Sequence, residues 1–189
     1  MTTVKFYFAF NSPYAFLANT RIEEALAECN AALSCKPVYS PRTSGSGPSG
    51  LSEAKLSYMM ADVARIADGY GIDMRPGPFA DTQTACLGFF YAQRKGLGPD
   101  FRRAVFAARW LEEADIADRD VLFAAADSCG LDRDGFTAAL DDPEFAALLA
   151  KSKADAEEDA VFGFPFFVVG QEKFWGNDRI EWLVRYLKN

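Results

Sequence analysis

The chain has 189 residues, of which 50% are apolar and 14% aromatic, so it is long enough for one domain with a sizeable core or one domain carrying a large insertion. Its 27 acidic residues outnumber its 20 basic ones, and the net charge of -7 argues against a nucleic-acid partner or an anionic membrane. The absence of histidine excludes histidine-based catalytic dyads and triads and most zinc sites. We therefore expect no metal site.

The N-terminal residues lack the basic and long apolar regions of a secretory signal peptide, and no apolar run is long enough to span a membrane. The cysteines show neither a CxxC motif nor a metal-ligand spacing; they are Cys29, Cys35, Cys86 and Cys129. We expect a cytoplasmic protein whose cysteines are small buried residues kept reduced. A disulfide between Cys29 and Cys35 is the alternative.

The N-terminal part of the chain predicts a strand–helix–strand unit. The apolar run "TVKFYFAF" is typical of a buried strand. A helix is predicted from Pro13 to about Ala32, with Ser12 as its N-cap. The second strand is "LSCKPVYS", in which Pro37 indicates an edge strand or a strand end. The two strands are expected to be parallel, with a right-handed crossover.

A loop rich in serine and glycine follows at residues 43–50, and it either extends freely or approaches a ligand through its backbone. From Leu51 to about Glu158 the pattern is helical almost throughout. The predicted helices run from Ser52 to Gly69 or Gly71, over 81–96, 99–114, 118–129 and 133–140, and from about 143 onward.

The C-terminal stretch "FPFFVVGQEKFWG" predicts a β-hairpin that turns at Gly170–Gln171, before a last helix capped by Asn177 or Asp178. The order is therefore βαβ, a helical block, then ββα. We predict an α/β, thioredoxin-like fold with a large all-helical insertion. Residues 1–50 and 160–189 form the discontinuous thioredoxin-like domain, and residues 51–159 form the helical insertion domain.

Four stretches, in this order over nearly the whole chain, resemble one family: "FYFAFNSPYAFLA", "KLSYMMADVARIADGYGI", "AVFAARWLEEADIADRDVL" and "AVFGFPFFVVGQEKFWGNDRIEWL". The sequence is similar to the 2-hydroxychromene-2-carboxylate isomerases and their relatives, the kappa-class glutathione transferases. Both belong to the DsbA-like branch of the thioredoxin fold. In this sequence Ser-Pro-Tyr-Ala stands where a thiol oxidoreductase carries CxxC.

Ser12 occupies the position of the redox-active cysteine, and Ala15 replaces the second cysteine, so dithiol chemistry is not expected. A hydroxyl at a helix N-terminus can instead donate a hydrogen bond to a thiolate that comes from another molecule. The resemblance implies that Ser12 is the catalytic residue and holds the thiolate of glutathione. From local chemistry alone Ser12 is an ordinary helix cap, and both roles can hold together.

The resemblance also implies a glutathione site formed by Asn11, Phe164, Pro165, Asn177 and Asp178. It implies a cis Pro165 that faces the N-terminus of the first helix. The backbone of Phe164 then pairs with the peptide of glutathione like an added strand. Asn177 and Asp178 contact the γ-glutamyl end, although from their position alone they are helix caps.

The candidate substrate-binding residues are Lys55, Phe10, Tyr14 and Trp175. The resemblance places Lys55 at the mouth of the site, where it attracts a carboxylate, and Arg42 is a weaker candidate for this task. Most of the aromatic residues are expected in the core, and a few of them line a substrate site between the two halves.

Lys55 also belongs to a set of residues spaced at three and four positions, which places them on one helical face. The other members are Tyr58, Asp62 and Arg65. The simplest interpretation of this set is a solvated stripe with an Asp62–Arg65 ion pair.

Two features depart from the family pattern. Relatives carry an asparagine in the loop after the second strand, whereas this chain has "RTSGSGPSG", so Ser44 or Ser46 substitutes weakly or the contact is lost. Phe164 and Phe166 flank Pro165 where smaller residues are usual, and their rings are expected to narrow or reshape the pocket.

We therefore expect a glutathione-dependent cis–trans isomerase that acts on an aromatic-derived conjugated carboxylate by reversible thiolate addition. One alternative is a kappa-like glutathione transferase that conjugates an electrophile. Another is a redox-inactive binding protein with a thioredoxin fold. The expected partners are glutathione and a small aromatic-derived substrate, and a homodimer through the final helix or the aromatic-rich insertion is left open.

Overall fold

The computed structural model describes residues 1–39 and 52–189, so Arg42, Ser44, Ser46 and the loop 43–50 lie outside the described residues. Within them, four strands form one mixed sheet in the order β2-β1-β3-β4. β2 is parallel to β1, and β3 is antiparallel to both β1 and β4. The strands are β1 (Thr2–Phe8), β2 (Ala31–Pro37), β3 (Phe166–Val169) and β4 (Glu172–Trp175).

The helices of the described residues complete the predicted order of βαβ, helical block and ββα, which is confirmed. They are α1 (Pro13–Asn19), α2 (Ile22–Leu26), α3 (Glu53–Gly69), α4 (Gln83–Arg94), α5 (Gly98–Leu111), α6 (Arg119–Ser128), α7 (Arg133–Leu140), α8 (Pro143–Glu158) and α9 (Ile180–Lys188). A short 3₁₀ helix, Asn177–Arg179, precedes α9. In the described residues no helix is long and apolar enough to cross a membrane.

The prediction of one continuous first helix ending near Ala32 is wrong, because the chain forms the two short helices α1 and α2. Thr20 ends α1, and its hydroxyl donates to the carbonyl of Leu17 at 2.8 Å, which competes with continuation of the helix. The adjacent Asn19 is buried, and its amide oxygen accepts a hydrogen bond from Arg102 at 2.6 Å. A contact with a distant helix therefore fixes the position of the break.

The helix caps show where a local sequence signal is enough to predict the start of a helix. The predicted caps of α3 and α6 are confirmed: Ser52 Oγ accepts from the backbone of Lys55 at 3.3 Å, and Asp118 accepts from that of Asp120 at 2.9 Å. The prediction that Asn177 or Asp178 caps the last helix is wrong. The 3₁₀ helix stands before α9, and neither element has a side-chain capping hydrogen bond.

Both faces of the central part of the sheet are buried, since the apolar second half of β1 and the whole of β3 are buried. Phe6 and Phe8 lie in the main core, where the ring of Phe8 contacts Phe89 of α4 and Phe106 of α5 at centroid distances of 5.6 and 5.7 Å. Tyr7 points to the opposite face, into a smaller cluster with residues of α8 and β3. The main core continues without interruption from the sheet into the inserted helices.

A buried network ties α5 to the sheet and to the first two helices. Arg102 is fully buried, and its Nε donates to Asn19 Oδ1 at 2.6 Å while Nη2 donates to Glu23 Oε1 at 2.8 Å. Its Nη1 donates to the sulfur of Cys35. This cysteine and the other three are free, and burial raises the pKa of the Cys35 thiol, so Cys35 is a neutral packing group.

On the other face of the sheet, Asp159 anchors the segment that leads from α8 toward Pro165. Its carboxylate accepts hydrogen bonds from Lys5 Nζ at 2.7 Å and from the hydroxyl of Tyr7 at 2.6 Å. Burial acts to raise the pKa of Asp159, but the hydrogen bonds from Lys5 and Tyr7 outweigh it and hold that pKa below its usual range. The ionised carboxylate is therefore part of the folded structure.

Replacing Lys5 with methionine is expected to lower the free energy of unfolding at pH 7 by about 0.5–1 kcal/mol, because the ion pair is partly exposed. A depressed carboxyl pKa stabilises the fold above the ordinary aspartate pKa of about 3.9, and this contribution is lost as the pH falls through the folded-state value. The difference between variant and wild type in urea unfolding should therefore shrink as the pH falls through the folded-state pKa of Asp159. A difference in the free energy of unfolding that stays constant from pH 7 to pH 3 would contradict this expectation. Lys153→Met, which removes an exposed ion pair, serves as the control.

Candidate active site

Ser12 lies at the junction between β1 and α1 and makes two hydrogen bonds through its hydroxyl. The oxygen accepts from the backbone N–H of Ala15 at 3.2 Å, so the predicted N-cap is confirmed. The same hydroxyl donates to the carbonyl oxygen of Phe164 at 3.1 Å. This residue is 152 positions away in the sequence, so the hydroxyl joins the start of α1 to the chain that enters β3.

The peptide bond between Phe164 and Pro165 is cis, and Pro165 is buried while Phe164 is half-buried. The carbonyl of Pro165 accepts a hydrogen bond from the backbone of Gly176 at 3.0 Å, which ties this segment to the end of the hairpin. The structure thus brings Ser12, Phe164 and Pro165 together at the N-terminus of α1.

Asn177 and Asp178 lie in the 3₁₀ helix, which contacts α1. The side chain of Asn177 is buried, whereas that of Asp178 is 62% exposed and pairs with Arg179 at 2.9 Å. Gly176, just before them, has a φ of 111°, a conformation that other residues rarely adopt. Asp178 therefore belongs to an element that contacts α1, and its carboxylate is directed to solvent and to Arg179.

Asn11 occupies a structural position that the glutathione prediction did not foresee. Its Nδ2 donates to the carbonyl of Ala80 at 2.7 Å, and its Oδ1 accepts from the N–H of Ala80 at 3.3 Å. Both polar atoms of the amide are thus satisfied within the protein. Asn11 thus joins the connection between α3 and α4 to the loop of Ser12, and its predicted contact with glutathione stays a prediction.

Phe10 is also misplaced by the prediction. Its ring is fully buried and contacts Phe8 and Phe106 at centroid distances of 5.2 and 5.0 Å, so it has no surface to offer a substrate. Its carbonyl accepts a hydrogen bond from the indole N–H of Trp110 at 2.9 Å. Phe10 is therefore a core residue that fixes the loop of Ser12 to α5.

Tyr14 connects α1 to α3 through its hydroxyl, which donates to Asp62 Oδ2 at 2.8 Å. Burial and this hydrogen bond raise the pKa of Tyr14 well above its usual value, so the phenol stays neutral. The predicted ion pair between Asp62 and Arg65 is present at 3.1 Å. Lys55 lies exposed, about 10 Å along the helix axis from Asp62, and within the described residues it forms no ion pair.

Trp175 and Phe162 form an exposed aromatic pair beside the Phe164–Pro165 segment. Trp175 is 53% exposed and Phe162 71%, and their ring centroids are 4.8 Å apart. The Trp175 ring lies over Gly163, where an added Cβ would be 2.6 Å from the indole nitrogen, so only glycine fits there. We did not predict Phe162, although the stretch "FGFPF" places an aromatic residue at every second position around Pro165.

Comparisons with known proteins bear on the family and the fold of the chain. The family model described as a DSBA-like thioredoxin domain matches residues 3–188. A protein of Sphingobium xenophagum named 2-hydroxychromene-2-carboxylate isomerase is 29% identical, over 98% of this chain and 97% of its own length. A protein of the same name from Pseudomonas putida is also 29% identical, over 94% of this chain and 90% of its own.

A solved structure of a 2-hydroxychromene-2-carboxylate isomerase matches this fold with a TM-score of 0.87 and 27% identity, covering 98% of this chain and 94% of the other. Its likeness spans the sheet and the inserted helices alike. Since the family model and these relatives cover nearly the whole chain, the chain belongs to the DsbA-like thioredoxin family.

Proposed function

We propose that the protein is a cytoplasmic, glutathione-dependent isomerase of the 2-hydroxychromene-2-carboxylate isomerase type, acting on a small aromatic-derived conjugated carboxylate. The observation that carries the proposal is the contact between the Ser12 hydroxyl and the Phe164 carbonyl, 3.1 Å apart, at the N-terminus of α1. Relatives that bear this name over nearly the full length support the reaction type.

The groups at this contact fit the cysteinyl part of glutathione. The Ser12 hydroxyl is a hydrogen-bond donor, and the Phe164 carbonyl is an acceptor with two lone pairs. The thiolate of glutathione needs a hydrogen-bond donor, and its peptide N–H needs an acceptor. The groups of the protein and those of the cysteinyl part are therefore complementary. Ser12 and Phe164 are both half-buried, which leaves them within reach of a ligand.

When bound, glutathione would supply a thiolate that adds reversibly to the conjugated double bond of the substrate and so permits rotation about that bond. The Ser12 hydroxyl stabilises the negative sulfur through a hydrogen bond, which lowers the pKa of the thiol. To do so it turns its proton from the Phe164 carbonyl toward the sulfur. The Phe164 carbonyl is then free to accept a hydrogen bond from a peptide N–H. The hydrogen bond from Ser12 to sulfur and the one from the peptide N–H to Phe164 therefore favour each other.

The protein's own residues explain why this chemistry is not disulfide exchange. Ser12 and Ala15 stand at the two positions of the redox motif, and neither carries sulfur. Among the described residues Cys35 and Cys86 are buried, and burial raises the pKa of each thiol, to about 12 for Cys86. A thiol with such a pKa is a poor nucleophile at neutral pH.

The exposed pair of Phe162 and Trp175 suits a flat aromatic substrate. Stacking on such rings contributes about 0.5–1.5 kcal/mol beyond the burial of area. The pair lies next to the Phe164–Pro165 segment, whose Phe164 carbonyl accepts the hydrogen bond from Ser12. We therefore assign Trp175 and Phe162 to the substrate-binding surface.

Calorimetric titration with glutathione at millimolar concentration tests the proposal. We expect saturable binding, and the absence of binding would refute the proposed function. A thiol-balance assay then separates the reactions on a conjugated aromatic acid. Isomerisation leaves the amount of free glutathione unchanged, whereas consumption of glutathione would identify a transferase.

A further inference from the structure

Two arginines on the same face of α5 are buried, but only one of them is paired. Arg102 and Arg109 are seven residues apart, and they are 0% and 5% exposed. Arg102 has Asn19, Glu23 and Cys35 as acceptors. In contrast, Arg109 Nε and Nη1 have no hydrogen-bond partner among the described residues.

Leaving a guanidinium buried without an acceptor is costly, since a charge removed from water needs a partner. Burial lowers the pKa of Arg109 to about 10, so the group remains charged at neutral pH. Asp115 opposes this shift, but its carboxylate is exposed and accepts a hydrogen bond from the N–H of Ala117 at 2.9 Å, and the described residues show no ion pair between Asp115 and Arg109. The face of Trp110, 4.4 Å from the guanidinium carbon, compensates only part of the cost.

The position of Arg109 links it to the candidate active site. The ring of Trp110 on which it stacks donates its indole N–H to the carbonyl of Phe10, two residues before Ser12. The backbone carbonyl of Arg109 accepts from Gly77 at 2.8 Å, in the connection between α3 and α4. Asn11 clamps this same connection through Ala80.

We propose that Arg109 binds the carboxylate of a ligand held at the site of Ser12, and this rests on the proposed function. The planar fork of a guanidinium matches the two oxygens of a carboxylate, which supplies the missing acceptor. Both glutathione and an aromatic acid substrate carry such a group. Entry of the ligand requires the connection between α3 and α4, which forms no helix or strand over residues 71–82, to move, and this movement breaks the hydrogen bonds between Asn11 and Ala80.

The test compares the wild type with Arg109→Met, which keeps much of the side-chain volume, and with Arg109→Lys, which keeps the charge but loses the fork. The probes are cinnamate, its neutral analogue cinnamamide, and glutathione, each titrated by calorimetry, with thermal unfolding of the ligand-free proteins. The wild type should bind cinnamate or glutathione at least about tenfold more tightly than the methionine variant does, a typical cost for one charge-assisted pair. The lysine variant should fall between them.

Whichever probe loses affinity identifies the source of the carboxylate, and cinnamamide binding should not change. The ligand-free methionine variant should unfold at the same or a higher temperature, because an unpaired buried charge has been removed. Unchanged affinity of both acids, or a lower unfolding temperature as the sole effect, would overturn the proposal and make Arg109 a structural residue. The cinnamate titration contains no glutathione, so its failure is distinct from failure of the proposed function.

Discussion

Replacing Ser12 with alanine is expected to lower kcat/KM of the glutathione-dependent reaction by about 10²–10³-fold, the usual effect of removing one donor that stabilises a negative reacting atom. The hydroxyl is the group at the N-terminus of α1 that is positioned to turn a proton toward sulfur, since it already donates across to Phe164. The measurement is initial rate against glutathione concentration at fixed pH.

The same substitution removes a helix cap, which alone costs about 1 kcal/mol of stability. Asp118→Ala is the matched control, because Asp118 caps α6 in the same way and lies outside the candidate site. Both variants should lose similar stability, and only Ser12→Ala should lose activity. A Ser12→Ala enzyme within about threefold of the wild type would show that the serine is only a cap.

Replacing Arg102 with alanine is expected to lower the free energy of unfolding by about 3–5 kcal/mol. The change empties a fully buried site and leaves the buried amide of Asn19 without its donor. It also breaks the hydrogen bonds that join α5 to Glu23 of α2 and to Cys35 of β2. Urea unfolding followed by circular dichroism measures the loss.

The adjacent Arg103 provides an internal comparison. It also pairs with Glu23 and with Asp100, but its side chain is 45% exposed, so Arg103→Ala should cost less than about 1 kcal/mol. Equal losses for the two variants would contradict the role given to the buried network. Comparing the Arg102→Ala and Arg103→Ala variants thus separates the effect of burial from that of charge.

Much of the fold follows from local patterns in the sequence. The apolar run of β1, the serine cap of α3 and the aspartate cap of α6 each act within a few residues, and all three were correctly predicted. The break between α1 and α2 was not, and it coincides with a local hydrogen bond of Thr20 and with the contact of Asn19 with Arg102, 83 positions away. Propensity alone extends that helix, and tertiary pairing stops it.

In the candidate site, too, some features follow from the sequence and others depend on packing. The family resemblance implied that Ser12 and Pro165 lie together, and the structure joins Ser12 to Phe164, the residue before Pro165. Phe10 was predicted to contact the substrate, but its ring is buried against Phe106, and the amide of the next residue, Asn11, is hydrogen-bonded to Ala80. Being next to Ser12 in sequence does not place a side chain in the site, since successive residues point in different directions.

Arg109 could not be singled out from the sequence, because what distinguishes it is the absence of an acceptor. Arg102 lies on the same face of α5 and looks alike in the sequence. Its guanidinium nevertheless has acceptors, whereas that of Arg109 lacks them at Nε and Nη1 among the described residues. Only the packing of α5 against its surroundings separates a structural arginine from an unpaired one.

The pKa of the thiol of bound glutathione tests the central claim most directly. Thiolate absorbance can be followed against pH for glutathione bound to the wild type and to Ser12→Ala. A free thiol titrates near pH 8.5, and a hydrogen bond from Ser12 should lower that pKa by about one unit or more in the wild type only. A bound thiol whose pKa is unshifted, or equal in the two proteins, would contradict the account.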